Sequence, residues 1–427
     1  MDVKLTVRSR PWLPAKDRHR GLILITPAAF ADMDAWHATA AELRRENPVA
    51  LVESDGWPTF WAVTRHADVL EVSRRSDVFH NTGRSAPGPD IQYDVLDAMG
   101  IRPKTLVHIH GEVHQKHRQV TNEWFKPAAV RRLQPAIDAI AEEFADRLAA
   151  FDGECDLAAD IIVPFTLRVI MSIYGVPESD EALMLELTQG LFGAADPEYL
   201  GDFSDPLALV TETVARFQAY FDAITADRRA HPTDDLATVI ANGVIDGLPL
   251  GEDERLWYYI IVATAGHDTT SFALSGGFEQ LLRHPDQLRA VQDDPSLAGA
   301  AAEEMIRWTS PVRSFMRWAQ EDHELGGVTI RKGEAVLTSY PSANRDDDVF
   351  VDPMRFDIAR RDADKLLSFG LGVHYCLGSQ VARREVRTLL AAILGRVATI
   401  ELAGDPQWSE SHFVSGVKHL PVRFTLR

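Results

Sequence analysis

The sequence predicts a mainly α protein with a smaller β region (α+β), folded as one continuous domain over residues 1–427. Three observations carry that expectation. Nothing reads as a repeat, a low-complexity tract or a long flexible linker. The prolines stand singly at expected helix ends, as at Pro48, Pro127, Pro177 and Pro285, where a missing N–H costs least. A strand-like run, PVRFTLR at 421–427, closes the chain.

At the start, residues 1–20 read as a loosely ordered N-terminal arm. They contain no apolar stretch of the kind a signal peptide needs, and LILI at 22–25 is far too short to cross a bilayer. No run approaches the length of a membrane span. The 45% hydrophobic content is that of a globular protein with ample core. A net charge of −19 argues against nucleic acid or an anionic membrane as partner. Only two cysteines are present, so neither a Cys-rich zinc site nor a disulfide framework is available, and a cytoplasmic location is expected. Cys155 reads as a small buried hydrophobe.

The next readable element is the run HQKHR, where His114 and Arg118 are one helical turn apart and face the same side. His108, His110 and His117 crowd this stretch, but a metal site here would lack cysteine or paired carboxylates. From about Asp253 to Arg283 a single long helix is expected. Acidic residues open it, Arg283 closes its last turn, and His284-Pro285 stops it. Its length would be ~45 Å, and its almost uncharged middle, 256–266, predicts burial nearly all round. The centre reads Ala265-Gly266-His267-Asp268-Thr269-Thr270. Small residues let a flat ligand approach, while a buried acid beside a hydroxyl is costly without a task or partners. A hydroxyl bonded to the preceding turn would open the ladder locally and admit water. Taken alone, this run serves equally well as a structural bend. Further on, Glu304 and Arg307 fall at i and i+3 on one helix face.

The most informative segment is Phe369-Gly370-Leu371-Gly372-Val373-His374-Tyr375-Cys376-Leu377-Gly378. Glycines at 370, 372 and 378 let the backbone press against a flat group. The stretch 377–394 has helical periodicity and places Cys376 near a helix N-terminus, whose dipole favours a thiolate. Phe369 supplies an apolar wall, and His374 is placed to meet a peripheral carboxylate.

As FGxGxHxCxG, this loop resembles the haem-binding loop of the cytochromes P450, and AGHDTT resembles that family's A-G-x-[D/E]-T-T helix segment. The resemblance runs in motif order from HxxxR to the C-terminal strand. It implies a mostly helical cytochrome P450 fold with the long helix lying over haem b, whose iron Cys376 would hold as thiolate. It further implies that Ala265 and Gly266 face the cofactor, and that Asp268 and Thr269 form a proton-delivery pair for dioxygen. His114, Arg118, Arg317 and His374 match positions that hold the two propionates. Glu304 and Arg307 match the family's E-x-x-R pair, expected to meet Arg355 of Pro353-Met354-Arg355-Phe356 in a structural cluster on the proximal side. The expected reaction is monooxygenation of an unactivated C–H bond, electrons coming from an external ferredoxin and its reductase. Candidates for a basic docking patch are Lys116, Lys126, Arg131, Arg132, Arg383, Arg384 and Arg387.

The substrate pocket is expected along 80–110, 190–221, 263–269, 310–315 and the loop near 413–415, with Val312, Phe315 and Val414 as wall residues. The run GLFGAADPEYLG suggests a mobile lid. These segments suit a small hydrophobic compound of terpenoid, steroid or fatty-chain type. Two alternatives stay open: a peroxide-driven oxygenase, and a non-catalytic haem-thiolate sensor in which His267 would be the residue to check.

Overall fold

In the computed structural model, residues 20–192, 196–200 and 206–427 are described. The expected N-terminal arm and part of the expected lid therefore lie outside the described residues. Five helices position the site: α1 (Gly111–Phe125), α2 (Pro127–Ala149), α3 (Glu252–Arg283), α4 (Ala298–Thr309) and α5 (Ser379–Arg396). The central helix α3 begins one residue before its expected start. Its opening is held by Glu254, whose carboxylate accepts the Gly251 N–H at 2.8 Å, with Glu252 and Asp253 beside it at the positive end of the dipole.

α3 runs through the core, and its aromatic N-terminal half carries much of the packing. Tyr259 stacks on Phe221 with ring centroids 4.4 Å apart, and its carbonyl accepts the Tyr174 hydroxyl at 2.9 Å. Each such fully buried aromatic contributes about 1.5–3 kcal/mol of apolar burial. Its C-terminal half lies against α4 so closely that a Cβ at Gly277 would meet the Met305 side chain at 2.3 Å. Glycine there sets the distance between the two helices.

The prolines fall as expected: Pro127 and Pro285 each occupy the first turn of a helix, and Pro177 precedes the short turn Glu178–Asp180. One expectation needs correcting. Leu157–Tyr174 is long and apolar enough, with a mean hydropathy of 1.7, to cross a membrane by length and composition, and 67% of it is buried within the protein. Its Leu157, Ile161, Phe165 and Val169 line the main core, so intramolecular packing covers the apolar face that an isolated reading would give to lipid.

The main sheet contains β1 (Val49–Val52), β2 (Phe60–Val63), β3 (Phe79–His80), β4 (Ser314–Ala319) and β5 (Ala335–Ser339) in the order β1-β2-β5-β4-β3. β5 pairs with β2 in parallel and with β4 antiparallel, Val336 opposite Arg317. Alternation along β4 therefore sends Phe315 and Arg317 to one face and Ser314 and Met316 to the other. The C-terminal run forms the strand Pro421–Leu426, paired with 397–402 and 154–156.

Candidate functional site

The cysteine loop is suspended from a buried polar network. Asn344 Oδ1 accepts the Leu367 N–H at 2.7 Å, and its Nδ2 donates to Ser310 Oγ at 2.8 Å and Ser368 Oγ at 2.9 Å. The loop then doubles back, and the Cys376 N–H donates to Phe369 O at 2.9 Å. The turn needs glycine at 372, where φ is +73° and a Cβ would lie 2.6 Å from Ser73 O. α5 starts at Ser379, two residues later than the periodicity suggested, so Cys376 lies just ahead of the helix rather than inside its first turn. Over Phe369, 4.4 Å from its centroid, sits the Arg383 guanidinium.

Cys376 is solvent accessible although protein surrounds its thiol deeply, as a group on the wall of an internal cavity must be. Burial raises its pKa, opposed by the N–H groups of Gly378 and Ser379 and by the charges of Arg118 and Arg383. At Cys155 nothing opposes burial. Its thiol is pushed up to about 12, with Asp160 and Asp156 adding to the effect, although the side chain is only partly buried, not buried as expected.

Behind the loop, Arg307 holds Glu304 through Nε–Oε2 at 2.7 Å and Nη2–Oε1 at 2.8 Å, both side chains fully buried. Arg307 also donates to Asn344 O at 2.6 Å, which joins this pair to the cysteine loop. The second arginine is Arg360, with Nε 3.1 Å from Glu304 Oε2, and this corrects the assignment of Arg355. Phe356 anchors the P-x-R-F segment in the core, leaving Arg355 exposed. The chain then turns back, so Arg360 reaches the carboxylate while donating to Arg355 O at 2.7 Å.

Four expected basic residues converge beside the loop. Arg118 donates to Tyr375 O at 2.7 Å, and the His114 and His374 rings lie 4.1 Å apart. Arg317, on β4, is buried and spans the Phe315 ring. Both nitrogens of His114 and Nε2 of His374 are buried without partners. Burial, Arg118 and the neighbouring histidines hold His114 down to about 4; burial, Arg317 and the other histidines hold His374 down to about 2. Such a set of orphaned donors and like charges fits an anionic group, and the two propionates of haem supply one. His110, set aside on spacing, joins this cluster: its ring is 5.7 Å from His374 and stacks on His80 at 3.9 Å. It is the residue just before α1, one turn ahead of His114, so the i, i+4 spacing of 110, 114 and 118 already carried this signal.

On α3, Ala265 is exposed and Gly266 and Thr269 are half-buried, although Thr264, His267, Asp268 and Thr270 around them are buried. Accessible surface in the middle of a core helix marks a second wall of internal space. Thr269 Oγ1 donates to Ala265 O at 2.7 Å, the expected bond to the preceding turn, within a helix assigned continuously from Glu252 to Arg283. The side-chain bond adds to the carbonyl without displacing the helical pattern. Asp268 is buried, and its Oδ2 has no hydrogen-bond partner among the described residues. His267 is fully buried; Nε2 meets Val163 O at 3.2 Å, and Nδ1 lies 3.3 Å from Thr188 Oγ1 and 3.1 Å from Asp268 Oδ1.

Of the expected pocket residues, Val312 and Val414 are joined by an isolated antiparallel bridge, and Phe315 packs on Phe413 at 5.5 Å. Val312 and Phe315 retain accessible surface, whereas Val414 is buried and supports the wall from behind. In the expected docking patch, Arg383 is bound to Glu303 at 2.6 Å, Lys116 to Glu112 and Asp246, and Lys126 to Glu123. Arg384 and Arg387 both reach Gln134, a neutral group, and Arg131 and Arg132 are exposed.

Comparison with known proteins agrees with this geometry. The Cytochrome P450 family profile matches residues 249–419. Cytochrome P450-terp of a Pseudomonas species is 37% identical over 422 residues, covering 95% of this chain and 97% of that protein. The crystal structure of CYP108D1 from Novosphingobium aromaticivorans is 37% identical and superposes with a TM-score of 0.90 over 97% of this chain and 100% of its own. CYP268A2 of Mycobacterium marinum, in complex with pseudoionone, is 30% identical with a TM-score of 0.87, covering 98% and 100% of the two chains. The chain belongs to the cytochrome P450 family and is a haem monooxygenase of the bacterial type.

Proposed function

We propose that this enzyme hydroxylates a small hydrophobic compound using dioxygen and electrons from a ferredoxin, with haem b held by Cys376. The observation that carries the reading is the accessible surface kept by Cys376 and by Ala265 and Thr269 on otherwise buried elements, whereas Gly266, expected to face the cofactor, packs on Ile170, where a Cβ would lie at 2.7 Å. Haem, when bound, supplies the reductive activation of dioxygen and insertion of one oxygen atom into a C–H bond.

The chain supplies the rest. Cys376 binds the iron as thiolate, a state favoured by the N–H groups of Gly378 and Ser379 and by Arg118 and Arg383. His114, Arg118, Arg317 and His374 hold the propionates, and Phe369, Gly370 and Gly378 shape the proximal contact. Thr269, whose hydroxyl proton goes to Ala265 O, would present its oxygen at the distal face as a relay for protons. Asp268, buried and with one oxygen unpartnered among the described residues, replenishes those protons. Val312 and Phe315 provide apolar walls that position the substrate. Arg131, Arg132, Arg384 and Arg387, unpaired with carboxylates among the described residues, form the basic face for an acidic ferredoxin.

The peroxide-driven alternative is disfavoured because both acid and alcohol are present on α3. The sensor alternative is disfavoured because both ring nitrogens of His267 are engaged. The test is reconstitution with ferredoxin, reductase and heavy-isotope dioxygen. Product carrying one labelled oxygen atom, at a rate well above that with peroxide alone, is expected. Equal turnover with peroxide alone would replace this reading.

A further inference from the structure

We infer that Arg313 is a positioning residue of the substrate pocket: its buried guanidinium braces the wall segment 310–315 against the loop 413–416 and so fixes how large a substrate the pocket takes. This deepens the monooxygenase reading, on which it rests.

The two segments belong to opposite sides of the site. Segment 310–315 lies beside the cysteine loop. Ser310 Oγ accepts from Asn344, the residue that also holds Leu367 and Ser368. Phe315 packs on Tyr340 with ring centroids 6.2 Å apart, and the Tyr340 hydroxyl lies 3.8 Å from where a Cβ on Gly370 would stand. The loop 413–416 lies instead against α3. A Cβ at Gly416 would fall 2.4 Å from Cβ of Phe272, which is one turn beyond Thr269.

Arg313 joins them. Its Nη1 donates to Thr309 O at 2.8 Å and Ser310 O at 3.3 Å; its Nη2 donates to Ser415 O at 2.9 Å. The backbone repeats the link, the Arg313 N–H donating to Phe413 O at 2.8 Å and the Ser415 N–H to Pro311 O at 3.0 Å. Val312 and Val414 form their bridge between these bonds, and Val312 and Phe315 keep accessible surface on the side away from them. The rings of Phe30 and Trp408 lie 5.5 and 5.8 Å from the guanidinium carbon.

Two observations separate this residue from ordinary packing. Arg313 is 1% exposed, and no carboxylate among the described residues is paired with it. Burial lowers its pKa to about 9, so the charge is kept at neutral pH. An apolar side chain of similar volume would cost less there. The charge is met by the last carbonyls of α4, the negative end of that helix, and by Ser415 O. The second observation is Ser310, which leaves α4 with φ +42°, a left-handed angle unfavourable for a residue other than glycine. Such a conformation persists where its surroundings over-determine it, and Arg313 bonds that residue's own carbonyl. The planar fork of arginine holds both segments at one spacing, which a lysine point charge cannot do.

The test is a spectral titration of the haem-loaded enzyme with three iron-binding probes of increasing size: imidazole, 4-phenylimidazole and its biphenyl analogue. Arg313→Met should bind imidazole as the wild type does. Its preference between the two larger probes should shift toward the biphenyl compound by about tenfold, the scale of one methylene of pocket space. Arg313→Lys should restore part of the wild-type preference. An unchanged preference in Arg313→Met, an equal change for all three probes, or no restoration by lysine would each overturn the inference, because a general loss of stability moves all three together. If Arg313→Met does not accumulate as haem protein, Trp408→Leu carries the test: a smaller shift in the same direction supports the brace, and no shift overturns it. The reduced carbon monoxide spectrum separates the two levels. Without the thiolate-type band in the wild type, the monooxygenase reading itself fails; with the band present, only the brace is at stake.

Discussion

The proximal and distal sides of the cofactor site are built by opposite means. On the proximal side, a fully buried Glu304, two arginines and Asn344 fix the backbone that carries Cys376 through a chain of bonds of 2.6 to 3.1 Å. On the distal side, apolar side chains and one short threonine–carbonyl bond surround open space, and the acid beside it keeps an unpartnered oxygen. A ligand atom that must not move is held by charge in a dry environment, where removing one partner is severe. A surface that must admit varied substrates and protons is left under-bonded.

The largest effect should come from the ligand itself. Cys376→Ser is expected to abolish the thiolate signature of the reduced carbon monoxide complex, read by difference spectroscopy; its persistence would remove Cys376 from the iron. Next is the cluster behind it. Glu304→Gln leaves Arg307 and Arg360 uncompensated and should cost about 3–5 kcal/mol in chemical denaturation. Arg355→Ala, at an exposed side chain, should stay within about 0.5 kcal/mol. Equal losses in Arg355→Ala and Arg360→Ala would return Arg355 to the buried cluster.

A distal change should leave the fold intact. Thr269→Ala is expected to keep haem and substrate binding while diverting electrons to peroxide, measured as product formed per electron pair consumed. Full coupling in that variant would refute the proton-delivery role.

The smallest effect concerns a partly exposed histidine on the strand Val417–His419. Burial lowers the pKa of His419, but bonds to Asp156 at 2.6 Å and Glu198 at 2.9 Å outweigh it and the net shift is upward. A raised folded-state pKa gives stability that is fully present below about 6.5 and lost as pH rises through the folded value. Stability measured across that window should decline on the alkaline side, and His419→Gln should flatten the slope. An unaltered slope in the variant would place the dependence elsewhere.

Much of the proximal side is legible from local sequence. Gly372 is required by a left-handed backbone angle and close contact with Ser73, and the spacing from Phe369 to Cys376 is set by one returning hydrogen bond. The helix α3 announces itself by its acidic start, apolar middle and terminal proline. Legibility fails where partners are distant in the chain. Arg355 fits the motif but points outward because Phe356 takes the core, and Arg360 becomes the partner only after the chain has turned. His110 is a different case, readable but set aside: it caps α1 one turn before His114 and so shares the 110–114–118 face.

The sequence alone therefore determined the chemistry of the centre, because a thiolate loop, an acid–alcohol pair and a long buried helix are each specified by residues close together along the chain. Tertiary structure decided which arginine completes the buried cluster, which cations stay free of carboxylates among the described residues, and which histidine rings gather beside the cysteine loop. Those choices depend on burial and on electrostatics between segments far apart in sequence, neither of which exists until the chain has packed.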